Sequence, residues 1–118
     1  MTHPSDIAAY IDDYEGELAR RGRAPRTRSS YRWTLWKFCD AYPTLNVADV
    51  TREDCERFLN RWTALKPATL AQRAAALAGF FRWLYKRHVI TADPMADVAR
   101  PKRQRPEITD VRLEAFTN

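Results

Sequence analysis

The stretch "KPATLAQRAAALAGFFRWLYKRH", residues 66–88, contains the most informative pattern in the chain. Its large apolar residues recur at the three- and four-residue spacing of a helix with one buried face. They are Leu70, Ala74, Leu77, Phe81 and Leu84. Pro67 suits the first turn of this helix, which the pattern predicts to end near residue 88.

The opposite face of this helix is nearly bare and carries no acid. It presents Gln72, Ala76, Gly79 and Lys86, flanked by Thr69 and Arg73. Small residues let a helix enter a groove of nucleic acid, where Gln and Arg reach base edges. The same small residues, with Ala75, also allow two helices to pack closely. The sequence leaves both interpretations open.

Three further helices are predicted upstream, over residues 5–21, 25–41 and 51–62. Each has large residues on one side at helical spacing. The expected core residues are Ile7, Tyr10, Ile11, Tyr14, Leu18, Tyr31, Leu35, Phe38, Tyr42, Cys55, Phe58, Leu59 and Trp62. The chain is therefore predicted to be an all-α bundle of four main helices, and the three Gly argue against a loop-rich or all-β fold.

The ends of these helices carry their own signals. Ser5 is the expected N-cap of the first helix and Gly22 its C-terminal stop. Pro43 ends the second helix. Thr51, followed three residues later by Asp54, resembles a capping box that begins the third.

Length and composition exclude several classes of protein. A chain of 118 residues, 45% hydrophobic, is expected to form one folded domain. It has no apolar run of membrane-spanning length and no signal peptide, so we expect a cytoplasmic protein without a membrane partner. Cys39 and Cys55 are expected to be buried reduced thiols rather than a disulfide. His3 and His88 have no ligands at metal spacing, so neither a metal nor a cofactor is expected.

The net charge of +5 is unevenly distributed along the chain. No acid occurs between Glu17 and Asp40, or between Glu56 and Asp93, and each window contains seven basic residues. Solvated helices usually mix the two signs of charge, because opposite charges four residues apart stabilise each other. Two acid-free helices in one small domain favour a shared surface that meets phosphates, although chance distribution over solvated faces is the alternative.

The second helix carries polar residues opposite its buried face. Arg26, Ser29, Ser30, Trp33 and Lys37 lie there. Short hydroxyls and backbone N–H groups near a helix N-terminus suit phosphate. Together with the bare face of the fourth helix, they form the predicted nucleic-acid surface.

After the fourth helix, the chain is predicted to continue as a turn, a basic linker and the start of a second domain. "ITADPMADV", residues 90–98, is expected to form a turn and a possible short helix. We expect a domain over residues 1–99, a basic linker over 100–108 and the start of a second domain over 109–118. Lys102 and Arg103 of the linker are expected to add contacts to DNA.

Several segments together resemble the N-terminal core-binding domain of tyrosine recombinases, the phage-integrase and Xer-type proteins. They are "APRTRSSYRWTLWKFCDAY", "VADVTREDCERFLNRW" and "KPATLAQRAAALAGFFRWLYKRHVITADPMADVARPK". Pro25 and Thr27 before Tyr31 match, and Asp93-Pro94 stands where the family often has Asn-Pro. The resemblance extends from about residue 6 to residue 102.

The resemblance implies a SAM-like orthogonal bundle whose second and fourth helices cross the major groove of the recombination site. It implies Arg26, Thr27, Ser29, Ser30 and Trp33 as contacts from the second helix, and Thr69, Gln72 and Arg73 from the fourth. Trp33 would contact a base methyl group or a neighbouring protomer. The implied partners are duplex DNA, a catalytic domain and other recombinase protomers.

The same resemblance predicts that this chain is not an enzyme. The family's chemistry needs Arg, Lys, a His-x-x-Arg pair and a Tyr nucleophile in the catalytic domain. His88 is followed by Val89, Ile90 and Thr91, so that pair is missing, and Tyr85 is interpreted as a core or boundary residue.

Two other functions are alternatives to DNA binding. A SAM-like protein-interaction module would use Trp33, Trp36 and Trp83 as exposed anchors, since interfaces favour aromatic residues. A small enzyme is disfavoured, because the sequence shows neither a Gly-rich phosphate loop nor a Ser–His–Asp set.

Overall fold

The computed structural model describes residues 5–62, 64 and 66–98. Within these residues the chain forms helices α1 (Ile7–Arg20), α2 (Pro25–Ala41), α3 (Arg52–Asn60) and α4 (Pro67–Lys86), with a 3-10 turn at Val47–Asp49 and no strand. The predicted all-α fold with four main helices is confirmed. The 3-10 turn was not predicted, and α3 ends two residues earlier than expected.

The helices pack around a core of aromatic rings. α2 lies between α1 and α4, and α4 also contacts α3 and α1. Phe38 of α2 meets Phe58 of α3 and Phe81 of α4 edge to face, with ring centroids 5.3 and 5.8 Å apart. All three rings are fully buried. Each stabilises the fold by about 1.5–3 kcal/mol through burial alone, and such edge contacts add to this.

A second aromatic group joins α1 to α4. Tyr14 lies 5.6 Å from Phe80 and 5.2 Å from Trp83, measured between ring centroids. Trp83 is only 7% exposed and belongs to the core. Its expected role as an exposed anchor is therefore wrong, because α4 is covered by α1 as well as by α2.

The start of α1 is fastened to the α2–α3 connection. Asp6, not Ser5, is the N-cap residue, although the Ser5 hydroxyl accepts the Ile7 N–H at 3.0 Å. That hydroxyl also donates to the carbonyl of Leu45. The Asp6 carboxylate accepts the backbone N–H of Val47 at 2.8 Å. The Asp6 side chain therefore bonds to the α2–α3 connection, while the Ser5 hydroxyl accepts an N–H group of the first turn of α1.

Two of the predicted helix ends have the expected geometry. Thr51 accepts the Asp54 N–H at 3.2 Å, and the Asp54 carboxylate accepts the Thr51 N–H at 3.0 Å, so the capping box is present. Gly22 follows α1 with φ 74°, a left-handed conformation that glycine adopts without a steric penalty.

The segment after α4 folds back onto the bundle. His88 adopts φ 64°, and the Val89 N–H reaches back to the carbonyl of Leu84 at 3.0 Å. Residues 94–97 form turns rather than a helix. Asp93 begins these turns by accepting the Met95 N–H at 2.9 Å. The apolar side chains of Ile90, Met95 and Val98 are consequently buried in the core.

Candidate nucleic-acid interface

The charge on α2 and α4 is largely unpaired in the part of the chain that the structure describes. That part contains fifteen Lys and Arg, of which five pair with acids within 4.0 Å: Arg20, Arg21, Arg32, Arg52 and Arg57. The other ten form no ion pair there. They include Arg26 and Lys37 of α2 and Arg73, Arg82 and Lys86 of α4. Positive charge is thus left available along both helices.

The residues predicted on α2 extend along that helix from its first turn to Lys37. Arg26, Ser29, Trp33 and Lys37 are exposed, and Thr27 and Ser30 are half-buried. Pro25 occupies the first turn of α2, so the backbone N–H groups that follow it have no acid capping them. This arrangement leaves both the hydroxyls and the start of the helix open to an anion.

The residues predicted on α4 are only partly accessible. Gln72 and Lys86 are exposed, and Thr69 is half-buried. Ala76, predicted on the bare face, is fully buried, so that placement is wrong. The reason is that α4 is covered on two sides, which narrows its accessible face.

Arg73 is held inside a cluster of side chains from three elements. Its guanidinium carbon lies 4.2 Å from the ring centre of Trp33 and 5.7 Å from that of Trp62. One guanidinium nitrogen donates to the hydroxyl of Thr34 at 3.3 Å. Burial lowers the pKa of Arg73 from its usual value. The side chain therefore ties α4 to α2.

Thr34 and Trp62 were not predicted to support the site. Thr34 is fully buried, and its hydroxyl also donates to the Ser30 carbonyl at 3.1 Å. Trp33 remains 41% exposed while it contacts Trp62 edge to face at 5.6 Å. Its contact with Arg73 was not predicted, because it depends on how α2 pairs with α4, which the sequence does not specify.

Gly79 belongs to the contact between α4 and α1. A Cβ atom placed on Gly79 would lie 2.6 Å from the hydroxyl oxygen of Tyr14, well inside van der Waals contact. Close helix packing therefore explains Gly79 and the buried Ala76. Of the predicted bare face, Gln72 and Lys86 remain exposed.

A basic groove runs along the C-terminal half of α4 and was missed in the sequence. It lies between α1, α2 and α4 and has a volume of about 610 Å³. We call it the α4 groove. Five basic residues line it: Arg21, Arg23, Arg82, Lys86 and Arg87. The four-residue spacing of Arg82 and Lys86 was the available signal, and only Lys86 had been predicted.

The remaining predictions have mixed outcomes. Lys102 and Arg103 lie outside the described residues. Tyr85 is 47% exposed, so its interpretation as a core or boundary residue is wrong. Trp36 is half-buried and packs against the core, which leaves Trp33 as the exposed tryptophan of the three proposed anchors.

Both cysteines are free thiols, as predicted. Cys55 is buried in the core, whereas Cys39 is half-buried. Burial raises the pKa of Cys55 to about 12, and the nearby carboxylate of Asp54 adds to this. Burial likewise raises the pKa of Cys39. Neither thiol is therefore activated as a nucleophile.

Among the described residues, no group of three or more His, Cys, Asp or Glu is arranged to hold a metal ion. Over the same residues, none of the helices has the length and apolar character needed to cross a membrane.

Known proteins with similar sequences are recombinases. The chain is 32% identical to the tyrosine recombinase XerC of Neisseria meningitidis serogroup B over 102 residues, covering 82% of this chain and 34% of that protein. It is 32% identical to XerC of Erythrobacter litoralis, covering 84% of this chain and 32% of that protein. The chain thus spans about a third of the length of the curated relatives it matches.

A solved structure has the same fold. It is that of a lambda integrase dimer bound to a COC′ core site, which superimposes with a TM-score of 0.71 at 23% identity. The match covers 83% of this chain and 36% of the integrase chain.

Four α-helices with a basic surface on two of them define a small helical domain of the SAM-like class. Residues 7–88 match the family described as phage integrase, N-terminal SAM-like domain, and the chain belongs to that family. Its resemblance to the N-terminal domain of tyrosine recombinases is confirmed.

Proposed function

We propose that this chain binds duplex DNA as the core-binding domain of a tyrosine recombinase. The observation that carries the proposal is the unpaired positive charge shared by α2 and α4. Arg26 and Lys37 on α2, with Lys86 on α4, are exposed and form no ion pair within the described residues. The lambda integrase of the same fold, whose structure was solved on a core site, supports this assignment.

In this proposal α2 contacts phosphates and α4 contacts a base. Arg26, Thr27, Ser29 and Ser30 meet phosphates near the start of α2, where the backbone N–H groups also point outward. Gln72 is the exposed amide of α4 and reads a base edge, because a Gln side chain pairs with adenine in the major groove. Selectivity for one DNA sequence would therefore depend on Gln72 more than on the basic residues.

Arg73 has a different role from these residues. Its guanidinium is stacked on Trp33 and bonded to Thr34, so it presents Trp33 at the surface. Trp33 then contacts a thymine methyl group or a neighbouring protomer. Thr69 flanks this position at the start of α4, and Lys102 and Arg103 extend the basic surface through the linker.

The chain itself would not cut DNA. The match covers only 34% of the XerC relative, and the strand cleavage of a recombinase would reside in the remaining part. We propose residues 1–99 as the binding domain, 100–108 as a linker and 109–118 as the start of a catalytic domain. The catalytic domain and other recombinase protomers would then be its protein partners.

Fluorescence anisotropy of a labelled duplex tests the proposal. Affinity should fall at least ten-fold between roughly 50 and 200 mM salt, because phosphate contacts release counterions. The control is the double variant Arg52→Gln/Arg57→Gln on α3, which lowers the charge away from the surface and should bind like the wild type. Absence of binding at low salt would refute the proposal.

The exposed Trp33 favours one other function, a protein-interaction module. Trp33 is 41% exposed, and a groove of about 410 Å³ opens beside it, lined by Lys37, Phe58 and Trp62 among others. Binding through such a surface would be weakly dependent on salt and would show a negative heat-capacity change. The same titration therefore distinguishes the two functions.

A further inference from the structure

The α4 groove lies at one end of the surface proposed for DNA. Gln72, Ala75, Gly79, Arg82 and Lys86 follow each other at three- and four-residue intervals, so they share one face of α4. The last four of them line the groove. With a rise of 1.5 Å per residue, Arg82 lies about 15 Å along the helix from Gln72. The basic residues that α4 contributes to the groove are thus separate from the position that would read a base.

The charge in the α4 groove is strongly one-sided. Arg21, Arg23, Arg82, Lys86 and Arg87 line it and are all exposed, against the single acid Glu17. Glu17 is already shared between Arg20 and Arg21, at 2.6 and 2.8 Å. The other four cations form no ion pair within the described residues. Arg82 and Lys86, four residues apart on α4, repel each other, and an anion bound in the groove would offset this electrostatic repulsion.

The floor of the α4 groove offers a neutral donor. Tyr14 and Tyr31 line it, and the Tyr14 hydroxyl lies against Gly79, where a side chain would otherwise stand. This hydroxyl forms no hydrogen bond to another described residue. Burial raises the pKa of Tyr14, and the nearby Arg21 opposes this. The hydroxyl therefore keeps its proton at neutral pH and remains a donor.

We infer that the α4 groove is a second phosphate-binding site, which holds the sugar–phosphate backbone of duplex DNA independently of base recognition. This inference rests on the proposed function and adds residues to it: Arg21, Arg23, Arg82 and Arg87, with Tyr14 as a donor. The groove joins the end of α1, the α1–α2 turn and the end of α4, so it fixes the direction in which the backbone crosses the domain.

The test compares two variants that lose the same charge. Arg82→Gln/Lys86→Gln removes two cations from the groove, and Arg52→Gln/Arg57→Gln removes two from α3. Binding is measured by anisotropy with two labelled duplexes of unrelated sequence, over a range of salt concentrations. The groove variant should reduce the slope of log affinity against log salt by about two, equally for both duplexes. The α3 variant should keep the wild-type slope.

A second groove variant, Arg23→Gln/Arg87→Gln, guards against a folding defect in the first, and thermal melts confirm that all chains fold. If both groove variants keep the wild-type slope, the inference is overturned and the proposed function stands. An equal reduction by the groove and α3 variants would also overturn it, because overall charge would then explain the effect. A wild-type chain without salt-dependent binding would overturn the proposed function itself.

Discussion

At Arg73 a cation lies beside two indole rings and a buried hydroxyl. A guanidinium over an indole face contributes about 0.5–2 kcal/mol, more when water is excluded. Its hydrogen bond to Thr34 adds to this, while its Nε finds no partner among the described residues. Arg73 thus contributes to the stability of the fold as well as to the surface, and this distinguishes it from its neighbour Gln72.

We expect Arg73→Ala to lower the free energy of unfolding by about 1–2 kcal/mol, because the stacking on Trp33 and the hydrogen bond are lost. Gln72→Ala should change it by less than about 0.5 kcal/mol, since Gln72 is exposed. Urea unfolding followed by tryptophan fluorescence measures both. In anisotropy, Gln72→Ala should weaken binding to the preferred sequence alone. Equal stability of the two variants would show that the Arg73 cluster does not form in solution.

The contact between Gly79 and Tyr14 gives a second prediction about stability. Gly79→Ala should destabilise the wild-type chain by about 1 kcal/mol, because overpacking against the Tyr14 hydroxyl exceeds the helix propensity that Ala gains. Tyr14→Phe removes that oxygen and leaves the ring in place. In this background Gly79→Ala should instead stabilise the chain, by up to about 1 kcal/mol.

A double-mutant cycle of Gly79→Ala and Tyr14→Phe, measured by chemical denaturation, gives the coupling between the two positions. The single variant Tyr14→Phe is the control for loss of the hydroxyl. Independent effects at the two positions would mean that α1 and α4 shift apart to accept the added methyl group.

Among the elements, α3 depends most on its cap. It is a nine-residue helix, too short to form in isolation, and it carries Cys55, Phe58 and Leu59 into the core. Its N-terminus is held by the reciprocal bonds of Thr51 and Asp54. The cap therefore stabilises the element that supports Trp62 and, through it, Trp33.

Replacing Thr51 with Ala should cost about 1 kcal/mol of stability, as the loss of an N-cap usually does. Thr51→Ser keeps the oxygen and should retain most of that stability. The exposed Thr91 provides the matched control, and Thr91→Ala should leave the thermal midpoint nearly unchanged. A midpoint for Thr51→Ala equal to that of the wild type would contradict the capping box.

Element boundaries were largely predictable because they depend on local chemistry. Pro25, Pro67, Gly22 and the Thr51–Asp54 pair act within one or two turns, so their spacing alone reveals them. The 3-10 turn at Val47–Asp49 depends on Asp6, some forty residues away, and no local pattern indicated it.

At the scale of the whole molecule, the sequence did not predict which helix faces pack against each other. A helical pattern separates one buried face from one exposed face, but α4 is covered by both α1 and α2. This second contact buries Ala76 and Trp83, which would be exposed if α4 had only one buried face. The α4 groove was missed for the same reason, since its cations come from three separate elements.

The fold-back of residues 89–98 gives the domain a mechanical property. Ile90, Met95 and Val98 anchor this segment in the core, and together their burial contributes several kcal/mol, about 1.5–3 for each large side chain. A pulling force applied beyond residue 98 would be borne first by these three anchors. The segment would detach from the core before α4 itself was displaced, so tension from that side would leave α2 and α4 in register.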